Sequence, residues 1–70
     1  MSHPVFTFDT THHALWAEEI AIENGVPVEV VPAPPAAGAR CDLALETLAS
    51  EVPRLRTLLE ENGVEFGVWN

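Results

Sequence analysis

Seventy residues with three arginines, no lysine and eleven carboxylates carry a net charge of −8, which disfavours nucleic-acid phosphates and anionic membrane surfaces as partners. A hydrophobic content of 47% argues for a folded core over disorder. One domain of this size, spanning residues 1–70, buries only about 60% of its unfolded-chain surface, and a lone cysteine provides no disulfide staple, so a homodimer is expected.

No apolar run approaches the length of a membrane span. The opening Met1-Ser2-His3-Pro4 lacks the basic and apolar regions of a signal peptide. A cytoplasmic protein with a free thiol is the expectation.

In chain order, residues 5–8 form the first strand candidate. Thr10 or Thr11 then caps a helix running to about Asn24, with Ala14, Ala17, Ile20 and Ala21 on one stripe. Trp16 points away from that stripe, and Glu18 falls at its edge. Asn24-Gly25 stops the helix, because glycine enters the left-handed conformation without a Cβ clash. Residues 26–31 form a second strand. Pro27 within it requires an edge position, since proline cannot donate to a central ladder.

A stiff Pro/Ala/Gly loop, Pro32-Ala33-Pro34-Pro35-Ala36-Ala37-Gly38, leads through Ala39 and Arg40 to the only cysteine. Residues 41–47 alternate, with Cys41, Leu43 and Leu45 on one side and Asp42, Ala44 and Glu46 on the other. That period of two predicts a strand with one buried and one wetter face. Ser50 is placed to cap a second helix that tolerates Pro53 in its first turn, with Val52, Leu55, Leu58 and Leu59 as its apolar stripe. Glu61-Asn62-Gly63-Val64 repeats the earlier Glu23-Asn24-Gly25-Val26, and residues 64–69 form the last strand.

The order β-α-β-β-α-β with a two-fold pseudo-repeat predicts an α+β, ferredoxin-like sandwich. Right-handed crossovers give an antiparallel sheet of order 4-1-3-2 with both helices on one face. On the open face lie Val5, Thr7, Val31, Ala44 and Trp69, mixed with Glu29, Asp42, Glu46 and Glu65, a candidate surface for a weak homodimer. The same topology brings Cys41 to the end where the first helix begins, beside Thr10, Thr11, His12 and His13. Helix N-termini present free N–H groups that favour a thiolate.

Phe8-Asp9-Thr10-Thr11-His12-His13-Ala14-Leu15, with Ala17-Glu18 after it, resembles the opening motif of the selenium/sulfur carrier protein-like family. Val31-Pro32-Ala33-Pro34 and Cys41-Asp42-Leu43-Ala44-Leu45 resemble its second motif, a Pro-x-Pro loop followed by Cys-Gly-Leu-Ala-Leu. Two departures stand out. Pro35 replaces the family's usual arginine, and Asp42 its glycine, so that Arg40 becomes the nearest positive charge to the thiol.

The resemblance implies a carrier thiol at Cys41 that accepts sulfur or selenium as a persulfide or selenosulfide from a sulfurtransferase or cysteine desulfurase-type protein. His12 is the candidate proton acceptor, an imidazole being the side chain that changes charge near neutrality. Thr10, Thr11 and Arg40 are supporting candidates. The chain reads as a carrier or accessory protein more than a stand-alone enzyme, with too few buried polar groups to enclose a substrate. No cofactor is implied. His3, His12, His13 and Cys41 lack the spacing of a metal site. The alternative is a ligand-binding or dimerising module in which Cys41 is a small buried hydrophobe.

Overall fold

The computed structural model describes residues 3–69; Met1 and Ser2 of the opening segment, and Asn70, lie outside that description. Its elements are β1 (Val5–Thr7), α1 (Thr11–Glu23), β2 (Val28–Pro32), a 3-10 turn (Pro35–Ala37), β3 (Leu43–Thr47), a second 3-10 turn (Ala49–Glu51), α2 (Val52–Glu61) and β4 (Gly67–Trp69). The four strands form one antiparallel sheet in the order β2-β3-β1-β4, which is the expected 4-1-3-2 order read from the other edge.

Register divides the sheet into two faces. Phe6 pairs with Leu45 and Val68, and Leu45 with Val30. This row packs with Ala14, Ala17, Ile20 and Ala21 of α1 and Leu55 and Leu59 of α2 in one core cluster. Both helices therefore cover the same face. On the other face Val5 pairs with Glu46 and Trp69, Thr7 with Ala44 and Gly67, and Glu29 with Glu46. Two like charges directly opposite disfavour the strand pair locally, and the His3 imidazole lies 3.8 Å from Glu46.

The helix ends explain why the strands are shorter than alternation predicts. At the end of α1 the Gly25 amide donates to Ile22 O at 3.1 Å and the Val26 amide to Ala21 O at 2.9 Å. Gly25 has φ +71°. This is a Schellman closure, in which the second residue past the cap turns back to satisfy the last carbonyls. The end of α2 repeats it: Gly63 donates to Glu60 O at 3.1 Å, Val64 to Leu59 O at 2.9 Å, and Gly63 has φ +72°. Val26 and Val64 thus belong to helix ends rather than strands. Pro27 consequently precedes β2, where its carbonyl accepts the buried Thr47 hydroxyl at 2.7 Å. β1 stops at Thr7, one residue before Phe8.

The α1 cap falls on one of the two expected threonines, while two other expectations change. Thr10, with extended backbone, is the α1 cap, its Oγ1 accepting from the His13 amide at 3.1 Å. Ser50 does not cap α2. It lies inside the 3-10 turn that precedes the helix, and the cap position is Glu51, which makes no side-chain capping bond. Cys41 falls outside β3, in a bend. The ladder extends only one bond past Leu43, from the Ala33 amide to Asp42 O at 2.7 Å, and the next position that would donate, two residues on, is Pro35, which has no amide. No helix among the described residues is long and apolar enough to cross a membrane.

Candidate functional site

The bend before β3 turns the Cys41 side chain inward, under the first turn of α1. Cys41 is 5% exposed and belongs to the core cluster. Its sulfur accepts from the Leu43 amide at 3.3 Å, and the Thr11 hydroxyl lies 3.6 Å away. An acceptor at one residue bonding the amide two residues on is the geometry that Asp, Asn, Ser and Thr use in local turns. Here a cysteine occupies the acceptor position. The bond fixes the sulfur's direction and satisfies the Leu43 amide.

Topology brings thiol and helix together as expected, but through different atoms. The contact from α1 is the Thr11 side chain, not a first-turn amide; the His13 amide is already taken by Thr10. The amide that reaches the sulfur comes from Leu43. Sequence reasoning had no reason to select it, because a backbone donor carries no residue signature. The only usable signal was a polarisable acceptor at the point where a proline loop ends.

The other candidates surround this pair. Thr10 Oγ1 also lies 2.8 Å from His13 Nδ1, so it organises both backbone and imidazole at the start of the helix. His12 is exposed, on the outward side of α1, with its ring 6.0 Å from that of His13 and 6.5 Å from that of Trp16. It is one residue from Thr11 and makes no hydrogen bond to the sulfur. Pro35 begins the 3-10 turn, and Gly38 ends it with φ +64°, a conformation that disfavours any side chain there.

Arg40 and Asp42 flank the thiol, both exposed. Arg40 lines a cleft of about 350 Å³ with Asp9, Glu65, Thr7, Phe66 and Gly67. The cleft opens at the end of the sheet beside the Cys41 loop. Arg54 instead pairs with Glu51 and donates to Asn24 O, and Arg56 covers the Phe66 ring. Among the described residues no group of three His, Cys, Asp or Glu side chains converges to hold a metal ion.

The Cys41 sulfur thus has two polar neighbours, the Leu43 amide and the Thr11 hydroxyl, where the proline loop meets the first turn of α1. No curated protein and no solved structure matches the chain. A family model described as "Putative Se/S carrier protein-like" matches residues 3–68, which takes in the α1 turn, the proline loop and Cys41 alike. The chain belongs to this Se/S carrier protein-like family.

Proposed function

We propose that the protein carries sulfur or selenium on Cys41, as a persulfide or selenosulfide, and hands it to a partner protein. The observation that carries this reading is the pair of groups at the sulfur, the Leu43 amide at 3.3 Å and the Thr11 hydroxyl at 3.6 Å. Both can donate to a sulfur anion, and hydrogen bonds to a charged acceptor are the stronger kind. In loading, the Cys41 thiolate attacks the outer sulfur of a donor's persulfide. A new S–S bond forms on Cys41, the donor's S–S bond breaks, and the donor thiolate departs. No outside oxidant is needed. Delivery runs the same exchange with an acceptor thiolate, and Cys41 leaves as thiolate.

His12, one residue from Thr11 and facing solvent, is the proposed acceptor of the Cys41 proton by way of water, and Thr10 holds the turn that carries both. Arg40 opposes the charge of Asp42. The donor would be a sulfurtransferase or a cysteine desulfurase-type protein. Because Cys41 is 5% exposed, exchange requires the sulfur to be uncovered in the docked complex.

That same burial favours a second reading, a structural cysteine in a non-catalytic interaction module. One experiment separates them. The chain is incubated with a cysteine desulfurase and cysteine, and its intact mass is followed. The carrier reading expects one added sulfur on the wild type and none on Cys41→Ser. Thr11→Val should slow loading by about tenfold, as loss of one hydrogen bond to a charged group implies; His12→Ala should slow it when the donor is unchanged. A thiol that alkylates only after unfolding and never gains sulfur establishes the structural reading.

A further inference from the structure

We infer that the outward face of α1 is the self-association surface of this protein, packing antiparallel against the same face of a second copy. The inference does not rest on the carrier reading.

α1 buries small side chains and exposes large ones. Ala14, Ala17, Ala21 and Ile20 face the core, while Leu15 is 48% exposed, Trp16 38% and Ile22 65%. At 100° per residue, His12, Leu15, Trp16, Glu19 and Ile22 share the side opposite the buried stripe. His12, Leu15, Trp16 and Glu19 line one shallow groove of about 510 Å³. The Trp16 ring is not loose within it. It lies 6.5 Å from the rings of both His12 and His13, nearly parallel to the latter at 28°. A large aromatic held in place, beside an exposed leucine, is a preordered anchor of the type that dominates interface energetics.

Charge selects the occupant and its orientation. Imidazoles occupy the start of this face and carboxylates, Glu19 and Glu23, its second half. A second copy laid parallel would set His12 on His12 and Glu19 on Glu19. Laid antiparallel, with the two-fold axis crossing between Leu15 and Trp16, each His12 meets Glu19 of the other copy. Each Trp16 then covers the other Leu15, and Ile22 extends the apolar strip at either end. An imidazole N–H donates to a carboxylate whether or not the ring is charged. The helix dipoles also oppose favourably in this arrangement. The face is thus self-complementary, as a two-fold interface requires.

The open sheet face fits a second copy less well. Val5 and Ala44 there are already covered within the chain, at 4% and 0% exposure. Stacking two such faces would bury the opposed Glu29 and Glu46 of both copies, which is costly without partners. One helix pair covers less area than a standard stable interface, so the dimer is weak and forms in the micromolar range or above.

The test is sedimentation of the whole chain from micromolar to millimolar concentration, with amide shifts followed over the same dilution. The wild type should form dimers, and the shifts that move should cluster on residues 12, 15, 16 and 19. Trp16→Ala should raise the dissociation constant at least about tenfold. His12→Glu and Glu19→His should each weaken association, and the double exchange should restore it. Within one helix these positions are about 10 Å apart along the axis, too far for direct pairing, so restoration reports contact between copies. A wild type monomeric at millimolar concentration overturns the inference. So does a dimer whose dilution shifts fall on the sheet, or a double exchange as weak as either single change.

Discussion

α1 and α2 close with the same hydrogen bonds at the same lengths, down to the Asn24 and Asn62 side chains, each donating to the carbonyl four residues back at 2.8 Å. Their walls are built in opposite ways. α2 places Leu55 and Leu59 in the core and Arg54, Arg56, Glu60 and Glu61 in water. α1 turns three alanines and one isoleucine inward and its leucine, tryptophan and second isoleucine outward. A repeated stop signal therefore fixes where a helix hands over to a strand without fixing what the helix is for. α2 contributes buried apolar area. α1, held close to the sheet by its alanines, contributes a surface and the turn that meets Cys41.

The comparison can be broken at either helix. The largest effect is expected at α2, where Leu59→Ala should destabilise the fold by about 2–5 kcal/mol through lost burial and the cavity left behind. Urea unfolding measures it, and a small loss would show that α2 is not the main source of buried area. Next, Ala17→Leu should cost about 1–3 kcal/mol by overpacking. If α1 accepts a leucine there without loss, its alanines do not mark a close approach. The shared helix endings predict a matched pair: Gly25→Ala and Gly63→Ala should each cost about 1–2 kcal/mol, since both need a left-handed backbone. Unequal costs would mean that the two closures differ in what they support. Smallest of all, Leu15→Ser, measured at a concentration where the chain is monomeric, should change stability by no more than about 0.5 kcal/mol. A larger loss would place Leu15 in the fold and not on a free surface.

The sequence carried the strand order because each rule acted on a different segment. Asn24-Gly25 and Asn62-Gly63 marked both helix ends, the alternation around Leu43–Leu45 marked the central strand, and Pro27 sent its neighbour strand to an edge. Strand limits were less legible. Val26 and Val64 are β-branched and sit beside strand-like sequence, yet their amides are committed to helix closure. Ser50 is a good cap residue displaced by a 3-10 turn, whose bond from the Glu51 amide to Leu48 O at 2.8 Å absorbs the position. At the site, the meeting of Cys41 with the start of α1 followed from topology. The atoms that meet did not, because they depend on a three-residue bend at residues 40–42 and on which threonine becomes the cap. With Thr10 as the cap, Thr11 is left free to face the sulfur.

The edges of the sheet bear on a different property. β2 is an outer strand bounded by Pro27 and containing Pro32, and β4 at the opposite edge is only three residues long. Proline removes donors that an incoming strand would need, and a very short edge gives it little length to join. Glu29 adds a charge along the outer strand. Such edges resist open-ended strand addition, the route to fibrous aggregates. Concentrated preparations of this small acidic protein should accordingly stay clear on long incubation and show no thioflavin-positive growth.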